Sequence, residues 1–362
     1  MLPRVSEKHY YIRRFGSTVV ASADEEKELF YIASDIPFDD RPNLLARVDD
    51  LDLALMREHL RITGSALYGL SETMGKLEVA RDMQLVSGPV EDERPLNVGI
   101  LMFCERPERF FRHAYIQVVT IPDPTGTDMV EKVFRGPIQR QLEDALSYIR
   151  NFCLAEAVIK LPDQAEAKRI FNYPYQAVEE ILANAVYHRS YQVHEPTTVR
   201  ITPLGMEVIS FPGFARSITD ADIAAKTIRG RIYRNRRIGD FLKELRLIEG
   251  HNTGFPNAYA ALAANESPDL QFRMDDERSF LSVTIPVHPH FQPITDAHKS
   301  AYEERILQAL SYEPLSLTDL AHAMGYKGIT KKLSTTVGRL LSQGKLERAA
   351  SPQVRTSLLR VK

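Results

Sequence analysis

The chain has 362 residues, a formal net charge of −2, 44% hydrophobic and 26% charged residues, which describes folded domains and, at this length, two or three hydrophobic cores. No stretch approaches the roughly 18 apolar residues of a membrane span, and the first residues lack an apolar signal core. Cys104 and Cys153 are the only cysteines; they exclude a disulfide framework, give no zinc spacing and fit a reducing cytoplasm.

In chain order, YYIRRFGSTVVAS alternates like a strand and runs into an acidic helix start, ADEEKELF. DIPFDDRPN reads as a turn-rich linker, and LDLALMREHLRITG and SETMGKLEVARDMQLVS carry apolar residues at helical spacing. Residues 37–94 are therefore expected to form a small helical, winged-helix-like unit. The apolar run Asn97 to Phe103 is expected as a buried strand and YIQVVTI, from Tyr115 to Ile121, as a second. From Gly136 a long amphipathic helix follows, with Leu142, Ala145, Leu146 and Ile149 on one face.

YQAVEEILANAVYHRSY is a further helix, TTVRITP and GMEVISF are alternating strands, and a turn falls at FPG. Next come an Arg-rich segment to Arg237, a helix IGDFLKELRLI, a loop EGHNTGFP, a helix NAYAALAA and a strand FLSVTIPV. PHFQPITDAHK links to a tail in which three short helices precede two strands, the winged-helix order. From Ser300 onward ten Lys and Arg stand against five Asp and Glu, so a nucleic-acid contact, if present, belongs to this end.

The helix around Glu180 places Glu180 and Asn184 four residues apart, on one face of an otherwise apolar run. Two readings are open: the pair hydrogen-bonds within the core, or it faces a cavity and holds a metal ion and water. This Glu-x-x-x-Asn run resembles the first motif of the GHKL class of ATP-binding domains, the gyrase, histidine-kinase and MutL type. More narrowly, NAVYHRSY, the FPG turn, RNRRIGDFL and EGHNTGF occur in the order of a bacterial and archaeal group labelled as RecG-related ATP-dependent helicases or transcriptional regulators. In that group a Schlafen-type AlbA-like domain precedes a divergent GHKL domain.

The resemblance implies an α+β chain: a remnant of the AlbA-like domain at 1–36, a GHKL-type α/β sandwich at 95–290 with helices on one face of a mixed sheet, a linker at 291–300 and a winged helix at 301–362. It implies ATP and magnesium as ligands, with Glu180 as general base and Asn184 as a magnesium ligand, chemistry that suits a carboxylate and a neutral amide oxygen. Pro212 and Gly213 would lie against the base, and Gly250 and Gly254 would belong to the lid over the phosphates. His188 and Arg189 would touch a phosphate or cap the helix C-terminus; Arg234 and Asn235 match a family motif within an Arg-rich stretch able to grip phosphate. FPGFA lacks the Asp that bonds the adenine amine in typical members. The strands carrying the AlbA-like surface would precede Tyr10, so the chain reads as N-terminally shortened and no nuclease chemistry is carried over.

In the tail, Lys327, Lys331, Lys332, Arg339 and Lys345 lie on or beside the third helix, and Arg348, Arg355 and Arg360 in the wing, the places where a winged helix meets double-stranded DNA. The expectation is a DNA-binding transcriptional regulator with an ATP-binding domain. A DNA-dependent ATPase of DNA processing or phage defence, and a nucleotide-free dimerising scaffold, are the alternatives; a helicase motor would need a P-loop, which the sequence lacks.

Overall fold

The computed structural model describes residues 10–14, 17–20, 36–122, 128–159, 167–215, 217–228, 234–248, 254–292, 303, 305–311, 314–324, 326, 328–349 and 358–361. The chain divides into two compact units, Met1–Gln292 and Pro293–Lys362. Among the described residues no helix is long and apolar enough to cross a membrane.

The first unit opens with a hairpin of β1 (Tyr11–Arg14) and β2 (Ser17–Val20), Tyr11 opposite Val20. The single strand read from the alternation is thus two, and the hairpin is a sheet of its own. The acidic run 23–30 lies outside the described residues.

Helices α1 (Leu53–Ile62), α2 (Leu67–Ser71) and α3 (Lys76–Asp82) lead to a short hairpin of β3 (Val86–Ser87) and β4 (Arg94–Pro95). Asp52 caps α1 by accepting from the Leu55 amide at 3.0 Å. These elements do not keep a core of their own: Leu55, Met56, Val79 and Leu85 belong to the same buried cluster as the helices and sheet that follow.

Asn97 to Phe103, expected as a strand, is a helix, α4, with every residue buried. A run apolar at every position has no period to separate a strand from a helix enclosed on all sides. Nor is DIPFDDRPN a loose linker. The Asn97 side chain donates to the Phe38 carbonyl at 2.9 Å and accepts from Asn43 at 3.1 Å, and Asp39 is fully buried.

The main sheet has six strands in the order β11-β12-β10-β9-β5-β6: β5 (Ile116–Thr120), β6 (Val130–Phe134), β9 (Thr197–Thr202), β10 (Gly205–Ser210), β11 (Gln271–Arg273) and β12 (Leu281–Pro286). It is mixed, with β5 parallel to β9 and the other pairs antiparallel. Alternation sorts its faces. Val118, Val199, Val208 and Val283 stand opposite one another in register and are buried. On the other face Gln117 donates to Thr198 and Glu207 takes hydrogen bonds from Arg200, Arg273 and Ser282, the pattern of a sheet covered on one side.

Helices α5 (Ile138–Phe152) and α6 (Tyr175–His188) pack on that sheet, with a hairpin of β7 (Glu156–Ile159) and β8 (Lys168–Phe171) between them in sequence. After β10 come α7 (Asp220–Ala224), α8 (Arg236–Glu244) and α9 (Gly254–Ala264), and α9 packs along α6. Helix α8 approaches α6 at Gly239, where an added Cβ would enter the Tyr187 ring. Gly239→Ala is therefore expected to destabilise the first unit by about 1–3 kcal/mol through overpacking; an unchanged urea midpoint would mean that Tyr187 swings aside freely.

The second unit contains α10 (305–311), α11 (Leu317–Ala323), α12 (Lys331–Ser342) and a hairpin of β13 (Leu346–Ala349) and β14 (Leu358–Val361). Ser316 and Thr330 cap α11 and α12 through their hydroxyls. Leu315 bridges Leu359, adding a third short extended segment to the hairpin. Ile306, Leu310, Leu320, Leu333, Val337 and Leu340 form a core separate from that of the first unit.

Candidate functional site

Helix α6 starts after Pro174, whose missing N–H costs nothing at a helix N-terminus, and buries Val178, Ile181, Leu182, Ala185 and Val186. The same periodicity leaves Glu180 and Asn184 half-buried, one turn apart. What stands over both is Gly254, the first residue of α9. A Cβ there would lie 2.5 Å from Asn184 Nδ2 and 3.0 Å from Glu180 Oε2, so only glycine lets the α9 backbone approach this face.

The Asn184 Nδ2 is buried and lacks a hydrogen-bond partner among the described residues, a state uncommon for an amide unless a ligand or water completes it. It borders a cleft of about 90 Å³. Ile181, Val208, Phe214, Phe255, Leu281 and Val283 are among its apolar walls, and Asn184, His188, Ser210 and Arg234 are its polar ones; Pro212, Gly213 and Gly254 also line it. Phe214, Phe255 and Phe272 pack ring to ring at 5.7–5.9 Å and hold that wall in place. Glu180 does not line the cleft. It sits one turn back, accepting from Asn257 Nδ2 at 3.1 Å.

The family-matched residues thus divide. Asn184, His188, Pro212, Gly213, Arg234 and Gly254 meet at the cleft. Arg189 does not: it is buried, donating to the carbonyls of His113 and Glu195 and to the Thr197 hydroxyl, with its guanidinium over the Tyr191 ring. Its charge is satisfied inside the fold, so it is a structural residue and not a ligand contact. Asn235 is also turned inward, its amide donating to the carbonyls of Tyr187 and Arg189 at 2.8 and 2.7 Å, which completes the C-terminus of α6. Arg234 binds the His188 carbonyl at 3.0 Å and the Gly213 carbonyl at 3.1 Å, tying the end of α6 to the glycine turn. Gly213 is required by packing, since a Cβ would meet the Phe280 carbonyl oxygen at 2.9 Å. Gly250 lies outside the described residues.

Sequence reasoning missed Ser210, Asn257 and Arg278. Arg278 Nη1 reaches the carbonyls of Phe214 and Ala215, and nothing in its own neighbourhood signals that task.

Two groups with shifted titration stand in this unit, half-buried His188 at the cleft and buried Asp39 at the start of α8. Burial, helped by Arg234, pushes the His188 imidazole down to about 4, and burial pushes the Asp39 carboxyl up to about 6, although it accepts from the Ile238 amide at 3.0 Å at the start of α8. Their effects on stability oppose each other. A depressed His binds fewer protons folded than unfolded, so its contribution is present above pH 6.5 and lost as pH falls toward 4. A raised Asp binds more protons folded, so its contribution is present below pH 3.8 and lost as pH rises through 6. Each shift corresponds to roughly 3 kcal/mol. Asp39→Asn is therefore expected to make stability fall more steeply than wild type from pH 6.5 to 4, and His188→Gln to make it fall less steeply or rise. Urea titrations across that window check both; parallel curves for all three proteins would show that neither group titrates as stated.

Among the described residues no cluster of three or more His, Cys, Asp or Glu is arranged to hold a metal ion. A metal at this cleft would rest on Asn184 and on the ligand itself.

In the second unit, Arg339 and Lys345 both pair with Glu303, and Arg360 pairs with Glu347 across the hairpin. Arg348 is exposed. Lys331 and Lys332 occupy the first turn of α12, while Lys327 and Arg355 lie outside the described residues.

No protein-family model and no curated protein sequence matches the chain. Three chains of solved structures match. One, the crystal structure of the DIP2311 protein from Corynebacterium diphtheriae, aligns over 98% of this chain and 70% of its own, with 16% identity and a TM-score of 0.51. At that identity the likeness is one of fold, and the chain is accordingly a mixed α/β protein of the same general architecture as that bacterial protein.

Proposed function

We propose that the first unit is a divergent GHKL-type nucleotide-binding domain and the second a winged helix that binds double-stranded DNA, making the protein a DNA-binding regulator that responds to ATP. The observation that carries the first half is the meeting of Glu180, Asn184 and Gly254, with a buried amide N–H of Asn184 left unpartnered at the edge of an apolar cleft. Glu180 closes on Asn257; had Asn184 served only the core, its amide N–H would be expected to close on a protein partner as well.

The donor set fits a hard cation bridged by phosphates. The Asn184 amide presents a neutral oxygen for magnesium when its plane turns over, and a bound magnesium ion would neutralise phosphate charge. Helix α9, eleven residues long, begins at Gly254 and directs the positive end of its dipole toward the same place. Glu180, which accepts from Asn257, is the carboxylate this reading assigns to accept a proton from water. Isothermal titration with ATP and magnesium tests the reading: no binding at millimolar ATP would leave a nucleotide-free scaffold, which could still pair with a second copy. Turnover stimulated by DNA would instead favour the DNA-dependent ATPase.

For the second unit the support is the order helix, helix, helix, hairpin, with Leu315 added to the hairpin at Leu359. Because Arg339 and Lys345 pair with Glu303, phosphate contact falls to Lys331, Lys332 and Arg348. Replacing Lys331 and Lys332 together with Ala is expected to lower the log-log salt slope of DNA binding by about two and to weaken binding alike on all sequences. Loss on one sequence only would mean base readout, and an unchanged isotherm would return the unit to protein interaction.

A further inference from the structure

We infer that a second pocket of the first unit, between segments 110–113 and 191–194, binds a planar aromatic carboxylate. It shares no lining residue with the cleft beside Asn184, so the inference stands apart from the nucleotide reading.

The pocket has a volume of about 310 Å³, within the range of sites for small organic ligands. The rings of Phe38, Phe110, Phe111 and Tyr191 line it, together with Val193. Two of these rings are held in place from behind. Phe38 meets Phe111 edge to face at 5.6 Å, and the Tyr191 hydroxyl donates to the Val186 carbonyl at 2.9 Å, which leaves that side chain its ring to offer. Rings fixed in advance lose little freedom on binding and favour a flat aromatic guest through offset and edge contacts.

The polar part of the lining sets the sign of the guest's charge. Arg112, His113 and His194 line the pocket, and no Asp or Glu does. Arg106 and Arg109, in the same segment, pair with Glu108 and Asp50; exposed Arg112 has no carboxylate partner among the described residues. Asp39, next to Phe38 in the chain, is engaged by the Ile238 amide at 3.0 Å. The imidazoles of His113 and His194 stack with centroids 5.6 Å apart and planes 27° from parallel. His113 Nδ1 is buried and lacks a hydrogen-bond partner among the described residues, a state that a bound polar group relieves. A guanidinium offers a planar fork that matches a carboxylate, and each imidazole carries an N–H able to donate to its oxygens. An aromatic cation would meet Arg112 with like charge and no acid to hold it, and a bare hydrocarbon would leave the polar end unused. A carboxylate on a flat ring uses both ends.

The test is isothermal titration of the full chain with 2-naphthoate, with the neutral 2-naphthylmethanol and with cyclohexanecarboxylate, an acid without an aromatic ring. 2-Naphthoate is expected to bind saturably at one site, and the other two at least about tenfold more weakly. Arg112→Ala and His194→Ala remove exposed side chains, so the urea midpoint is expected to hold while 2-naphthoate affinity falls about tenfold for Arg112→Ala and severalfold for His194→Ala. Absence of saturable binding at millimolar 2-naphthoate would overturn the inference, as would equal affinity for the acid and the neutral alcohol. Unchanged affinity in Arg112→Ala would place the ligand elsewhere and overturn it too.

Discussion

Glu180→Gln is expected to abolish ATP turnover, by roughly a hundredfold to ten-thousandfold, while leaving nucleotide affinity within a few-fold of wild type. The substitution keeps length, volume and the oxygen that accepts from Asn257 at 3.1 Å, and it removes the basicity alone. Because Glu180 does not line the cleft, on the proposed reading binding and chemistry would separate along α6, with Asn184 toward the ligand and Glu180 one turn behind it. Affinity comes from isothermal titration and turnover from phosphate release under saturating ATP. Equal rates for wild type and variant would remove the catalytic role. A wild type with firm binding but no turnover would leave Glu180 a neighbour of the site and the protein a sensor of ATP rather than an ATPase. Asn257→Ala separates orientation from basicity: the carboxylate stays a base but loses its anchor, so an intermediate rate is expected.

The parts of this site that can be read from the sequence are those generated by local periodicity. Glu180 and Asn184 share a face because they are four residues apart in a helix, and the apolar positions around them announce that helix. The strands β9 and β10 are legible from alternation, and so is the polar face they present through Arg200 and Glu207. Where period fails, so does the reading. Asn97 to Phe103 is apolar throughout and carries no sign of being helical, and Pro and Asp in 35–43 suggest a linker where Asp39 in fact sits buried at the start of α8. The remaining misses are matters of long range. Arg189 resembles a ligand contact because it follows Asn184 on a helix end, but its partners come from His113, Glu195 and Thr197. Arg278 and Asn257 reach the site from segments more than 60 residues beyond Phe214 and more than 70 beyond Glu180, and single-chain spacing carries no trace of such meetings.

Gly254→Ala is expected to weaken magnesium-dependent nucleotide binding by at least about tenfold, an ordinary loss when one or two polar ligand contacts are displaced, without lowering stability. The added methyl group would lie 2.5 Å from Asn184 Nδ2 and 3.0 Å from Glu180 Oε2, so both side chains must withdraw from the face they share. Both contacts are with side-chain ends, which can move, and Gly254 is the first residue of α9, where alanine is at least as compatible with helix as glycine. The fold therefore has room to accept the change while the ligand positions do not. Gly239→Ala provides the opposite case. Its Cβ would strike the Tyr187 ring in the packed seam between α6 and α8, so there stability falls first. Measuring nucleotide affinity and the urea midpoint for both variants resolves two uses of glycine in one domain, close approach for a ligand and close approach for packing. A Gly254→Ala protein that binds as wild type does would mean that Glu180 and Asn184 face α9 for packing alone, and the nucleotide reading of this cleft would lose its principal support.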